Sequence, residues 1–166
     1  MARCLIIACG CRGRVLGREL GERGHAVRGS TRRESELAEM QAIGIEPHHG
    51  DPDRVGTLAP AFERVSVACV LLGSATGPAE AVRALHETRL EMLLERMLDT
   101  TIRGIVYEAA GSVDAAVLAG GTAIVRRRCE GSLIPYALLQ TDPGAERAAW
   151  LREAVTAVQR LLVQPA

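Results

Sequence analysis

The stretch Ala8-Cys9-Gly10-Cys11-Arg12-Gly13-Arg14-Val15-Leu16-Gly17 follows a short apolar run near the start of the chain. Its small residues fall in the pattern Ala-x-Gly-x-x-Gly-x-x-x-Gly, with alanine in the first glycine position. That spacing suits a strand that turns directly into a helix beneath an anion. Gly10 lets backbone approach a pyrophosphate, Gly13 lets helix and strand pack closely, and Gly17 keeps that contact tight one turn later. The N–H groups of the first turn, from Cys11, Arg12, Gly13 and Arg14, then face the phosphates with the helix dipole behind them. A ligand-free β–α turn uses the same glycines, so the motif is weighed by its context.

A second element of such a site lies at the end of the next strand. An NAD site places Asp or Glu there, about 20 residues past the glycines, on the ribose 2′-OH. This chain has Ser30-Thr31-Arg32-Arg33 instead. Arginine's planar fork suits phosphate, which favours the 2′-phosphate of NADP, with Arg12 in reach of the same group. The alternative is that Thr31 caps a helix, with Glu34 at capping-box spacing, and that Arg32 and Arg33 are solvated. Asp51, in His48-His49-Gly50-Asp51-Pro52, caps the next helix and borders the adenine. Gly73, Ser74 and Ala75 end the fourth apolar run, where small residues line a cofactor pocket. No metal is expected, because His48 and His49 point to opposite faces of a strand.

These residues need a scaffold, and the chain's patterning supplies one. Apolar runs at 4–9, 26–28, 43–45, 67–72, 102–107 and 133–139 alternate with amphipathic stretches at 13–23, 33–41, 53–62, 79–98, 114–129 and 146–162. That alternation predicts βαβ units: an α/β fold with a doubly wound parallel sheet in three layers. Pro47 and Pro135 fall in the third and sixth runs, and proline is confined to sheet edges or strand starts. Strand order 3-2-1-4-5-6 makes those two runs the edges. Pro52, Pro78 and Pro143 are placed just inside helix starts. Residues 1–166 are expected to form a single domain.

In this order the segments resemble the atypical and extended branches of the short-chain dehydrogenase/reductase superfamily, with NmrA-like NAD(P)-binding proteins and nucleotide-sugar epimerase relatives nearest. GHAVRGSTRR resembles their second strand with an NADP-type basic ending, and GIEPHHGDPDR their third strand with its Gly-Asp turn. IRGIVYEAAGSV resembles their fifth strand, and IPYALLQTD their sixth. The resemblance implies a Rossmann domain binding a nicotinamide dinucleotide, and a tyrosine and lysine four residues apart on the helix after strand five. That dyad is absent: residues 111–129 hold no tyrosine, and all 20 basic residues of the chain are arginine. Extended members also continue into a substrate lobe, whereas one helix follows the sixth run here, so a substrate pocket would come from loops or a second subunit.

Two functions remain open: a small NADP-dependent oxidoreductase lacking the dyad, and a non-catalytic NADP(H)-sensing module. Tyr107, ending the fifth run, is the best remaining proton donor, with a packed tyrosine as the alternative; Ser74, Glu108 and Ser112 are weaker, and no catalytic residue or substrate is assigned. Cys9 and Cys11 would form an oxidation switch beside the loop or be a buried and a loop residue. The stretch 85–99 fits a homodimer face as well as core packing. The formal net charge of zero, with an aromatic content of 2%, speaks against nucleic acid as partner. No run approaches the length of a membrane span, and the odd count of five cysteines favours reduced thiols and a cytoplasmic setting.

Overall fold

The computed structural model describes residues 1–164. Its strands are β1 (Arg3–Ile7), β2 (Ala26–Thr31), β3 (Glu46–His49), β4 (Val67–Val70), β5 (Gly104–Glu108) and β6 (Tyr136–Leu139). Its helices are α1 (Cys11–Glu22), α2 (Leu37–Ala42), α3 (Ala79–His86), α4 (Thr88–Leu98), α5 (Ala115–Gly131) and α6 (Arg147–Val163), with 3₁₀ stretches at Glu34–Glu36 and Val55–Phe62. All strands run parallel in the order β3-β2-β1-β4-β5-β6. The predicted α/β class and strand order are therefore observed.

Alternation along each strand builds the two faces. Cys4 and Ile6 of β1, Cys69 of β4 and Val106 of β5 pack with Leu16, Leu20, Trp150 and Val158 of α1 and α6. Their neighbours Leu5, Ile7, Val70 and Ile105 pack on the other face with Leu58, Phe62, Leu93, Met97 and Val125. Successive side chains on a strand point to opposite faces, so these short apolar runs bury both sides and need helices on each.

Several boundaries differ from the expectation. The third strand is the polar segment Glu46–His49, not residues 43–45. Ile43 and Gly44 (φ +82°) instead close α2, and Ile45 packs over the bare Gly17, where a Cβ would stand 2.6 Å from its Cδ1. An edge strand tolerates polar residues because only part of it is buried. The stretch 79–98 is two helices, broken at Glu87. Pro78 immediately precedes its helix, but Pro52 and Pro143 lie in turns ahead of theirs. Thr31 and Glu34 form no capping box: the 3₁₀ turn at Glu34 starts from Arg33, and Thr31 bonds Glu36.

Ala8, at the first glycine position of the loop, has φ +59°. An L-residue with a Cβ is strained in that region by roughly 1–2 kcal/mol. We predict that Ala8→Gly raises the unfolding free energy by about 0.5–1 kcal/mol after allowing for the freer unfolded chain. A urea midpoint that falls in this variant would refute the strain assigned to Ala8.

Candidate functional site

Parallel register brings the C-terminal ends of the strands to one side of the sheet, with the crevice between β1 and β4. A cavity of about 630 Å³ opens there, lined by residues 8–12, 30–33, Glu36, 50–53, 71–72, 74–78 and, from α3, Ala81, Val82 and Leu85. Of the residues selected from sequence, Gly10, Cys11, Arg12, Thr31, Arg32, Arg33, Asp51, Ser74 and Ala75 line it, while Gly13, Arg14 and Gly73 do not.

The loop glycines divide their work. A Cβ on Gly10 would meet nothing within 4 Å, so this face of the loop is open. A Cβ on Gly13 would stand 3.2 Å from Ile6 Cγ2, so Gly13 sets how closely α1 approaches β1. Helix α1 has no side-chain cap and no acid in its first turn. Its leading N–H groups thus remain available to an anion from outside. Ser30 holds the turn: its Oγ accepts from Ala8 N–H at 3.1 Å, and its carbonyl accepts from Cys9 N–H at 2.8 Å.

At the β2 exit Thr31 Oγ1 donates to Glu36 Oε2 at 2.6 Å and accepts from Arg33 N–H at 3.1 Å. Arg14 and Arg33 lie 3.4 and 3.5 Å from the same Glu36 carboxylate. Glu36 was not among the residues selected from sequence. Its only signal there was its place on the turn after the second strand. Asp51 does not cap a helix; its Oδ1 accepts from Asp53 N–H at 2.9 Å, in an Asx turn that lines the cavity. His48 Nε2 bonds the Thr57 carbonyl and His49 Nε2 the Arg32 carbonyl. Among the described residues no group of three or more His, Cys, Asp or Glu could hold a metal.

Arg12 behaves differently from expectation. Its guanidinium turns from the β2 exit toward the end of β5, where Nε–H donates to Glu108 Oε2 at 2.9 Å and Nη2 reaches Oε1. It also lies 6.0 Å from the Trp150 ring centroid. Glu108 is wholly buried and accepts a further bond from Gly73 N–H at 2.8 Å.

Tyr107 is likewise redirected. It is 0% exposed and is not among the residues lining the cavity, with its hydroxyl 2.6 Å from His86 Nδ1. His86 Nε2 lies 2.9 Å from the Leu72 carbonyl, so that nitrogen carries the proton and Nδ1 accepts from the phenol. Gly121 makes the room, since a Cβ there would stand 2.0 Å from the Tyr107 hydroxyl. Burial, aided by the neighbouring Glu108 carboxylate, pushes the phenol well above its ordinary range. The packed-tyrosine alternative is therefore the one observed. Cys9 is buried and its thiol pushed up to about 12, mainly by desolvation, while Cys11 is exposed at the cavity. This separation gives no support to a Cys9–Cys11 switch.

No protein-family model matches the chain, and no curated protein does. Solved structures do. A short-chain dehydrogenase/reductase superfamily protein from Agrobacterium tumefaciens with bound NAD is 17% identical, with a TM-score of 0.68 over 82% of this chain and 48% of that one. The UDP-Glc/GlcNAc 4-epimerase of Campylobacter jejuni is 10% identical, with a TM-score of 0.69 over 83% of this chain and 52% of that one. The triphenylmethane reductase of Citrobacter sp., complexed with NADP(H), is 19% identical, with a TM-score of 0.63 over 83% and 49%. The chain therefore has the Rossmann fold of these proteins and spans about half their length. Among the described residues no helix is long and apolar enough to cross a membrane.

The His86 bonds set a pH dependence. Burial lowers its pKa below the ordinary 6.5, with the Leu72 bond opposing. A His held neutral in the fold contributes fully above the unfolded pKa and loses that contribution as pH falls below it. Unfolding free energy is expected to decline from pH 7 to pH 5, and His86→Phe, though less stable at pH 7, to lack that part of the slope. Urea titrations give the answer; equal slopes in both proteins would sink the assignment. Tyr107→Phe should cost about 1–2 kcal/mol by leaving Nδ1 unpaired, with ligand affinity unchanged.

Proposed function

We propose that the chain binds NADP(H) at the β1–β4 crevice and acts as a non-catalytic nucleotide-sensing module. The observation carrying this reading is the uncapped α1 N-terminus beneath Gly10, opening into the cavity that Arg32 and Arg33 also line. An α/β sheet of this order binds ligands at the carboxyl ends of its strands, where the order reverses. The phosphates would lie on the α1 N–H groups, with the adenine toward Asp51 and the ribose toward Thr31.

Arg32 and Arg33 favour a 2′-phosphate over a bare ribose hydroxyl. Glu36 works against it, and its charge is offset by Arg14 and Arg33. The module reading is preferred to an oxidoreductase because Tyr107 is locked against His86 and Glu108 against Arg12. An oxidoreductase is the second reading, favoured by the reductases among the structural neighbours. It would have to take its proton from water. The stretch 85–99 retains Met92 as an exposed apolar residue, which leaves a homodimer as a further proposal.

Titration calorimetry with NADPH and NADH tests cofactor choice. The double variant Arg32→Ala, Arg33→Ala is expected to lose about 1.5 kcal/mol toward NADPH, roughly tenfold, since both side chains are solvated. NADH should change by less than about threefold, whereas Glu36→Gln should tighten NADPH selectively. Equal losses for both cofactors would refute the phosphate assignment. NADPH consumption with a panel of quinones, aldehydes and flavins should stay at the buffer rate; turnover by the purified chain would replace the module with the oxidoreductase.

A further inference from the structure

A doubly wound sheet of this order consists of two mononucleotide-binding halves, β1-β2-β3 and β4-β5-β6, and a dinucleotide lies across both. The first half is open in this protein. No residue after Leu85 lines the cavity, so β5, β6 and the loops that follow them contribute nothing to it.

Of the second half, only the end of β4, the loop after it and α3 reach the cavity; the rest is occupied by the chain's own groups. Arg12 crosses the crevice onto the buried Glu108, at the end of β5. The loops after β4 and β5 are bonded to one another: Val113 N–H donates to the Gly73 carbonyl at 3.0 Å and Ser112 N–H to Ser74 Oγ at 3.2 Å. They touch so closely that a Cβ on Gly111 would stand 2.1 Å from the Gly73 oxygen, and one on Gly73 would stand 2.3 Å from the Ala110 oxygen. At the end of β6 the Glu153 carboxylate takes the Gln140 and Thr141 N–H groups at 2.8 and 2.9 Å. The β6 donors and the β5 carboxylate are thus already partnered within the fold.

We propose that this is a half-site: it recognises the adenosine 5′-diphosphate portion of its ligand, with or without a 2′-phosphate, and leaves the second nucleoside in solvent. This rests on the adenosine-side binding proposed above and narrows it. A site that does not touch the nicotinamide responds to NADP⁺ and NADPH alike. It also accepts free adenosine diphosphates that carry no nicotinamide.

The test is a ligand series on the unaltered protein by calorimetry: ADP, ADP-ribose, 2′-phospho-ADP-ribose, NAD⁺, NADP⁺ and NADPH. NADP⁺, NADPH and 2′-phospho-ADP-ribose are expected within about threefold of one another, as are NAD⁺ and ADP-ribose. In saturation-transfer NMR the adenine and adenosine-ribose protons should respond strongly and the nicotinamide protons weakly. If either dinucleotide binds tenfold or more tightly than its ADP-ribose counterpart, the half-site is overturned while NADP(H) binding stands. Absence of binding across the series overturns both.

Discussion

A guanidinium and a buried carboxylate join the two halves of the sheet at their C-terminal ends. Arg12 comes from the first turn of α1 and Glu108 from the last position of β5, with the end of β4 between them. A buried ion pair offsets its desolvation only when the geometry is good and other bonds satisfy what remains. Here the fork engages both carboxylate oxygens, Gly73 N–H adds a third bond, and the arginine keeps 23% exposure. The pair thus costs less than a fully enclosed one. It also fixes the neighbouring loops, because Gly73 reaches Glu108 only along a path where no Cβ fits. The shape of the cavity follows: open over the ends of β1, β2 and β3 and along the β4–α3 connection, and closed off from β5 and β6.

How much of this was legible in the sequence depends on the kind of signal. Strand alternation is local, so the sheet and its order could be read from the apolar runs and two prolines. Pro47 lies within the edge strand β3 and Pro135 directly before β6, as that order requires. The β3 boundary was misplaced because Ile43, Gly44 and Ile45 are apolar or small for another reason: they end α2 and cover Gly17. The break at Glu87 was invisible because residues on both sides keep helical spacing. Next to the break, His86 is held by the hydroxyl of Tyr107, 21 positions further along the chain.

The same distinction applies to the site. Gly10 and Gly13 have roles that spacing alone foretells, since both concern the backbone of a single turn. Arg12 is different. Its side chain has one partner at the β2 exit in a sequence reading and another, 96 positions away, in the fold. A long flexible cation can reach partners far away in sequence, and no local pattern announces where a buried carboxylate such as Glu108 lies. Tyr107 shows the converse. Its position at a strand end favours a proton donor, yet strand alternation turns it toward α5, where Gly121 leaves the space it occupies.

Charge at the β2 exit completes the picture. Sequence spacing puts Arg32 and Arg33 where an acid would mark a bare ribose, but the fold adds Glu36 and brings Arg14 against it. Glu36 is tethered by the Thr31 hydroxyl and flanked by two guanidiniums, so its charge is partly offset within the fold. Arg32, with no carboxylate within salt-bridge distance among the described residues, carries the uncompensated positive charge at the cavity rim. Arginine used throughout, in a chain without lysine, makes this rim a set of planar forks rather than point charges, and forks discriminate phosphate by geometry as well as by charge. In the NADP(H) reading proposed above, selectivity at this rim would follow the balance of Arg32 and Arg33 against what remains of the Glu36 charge.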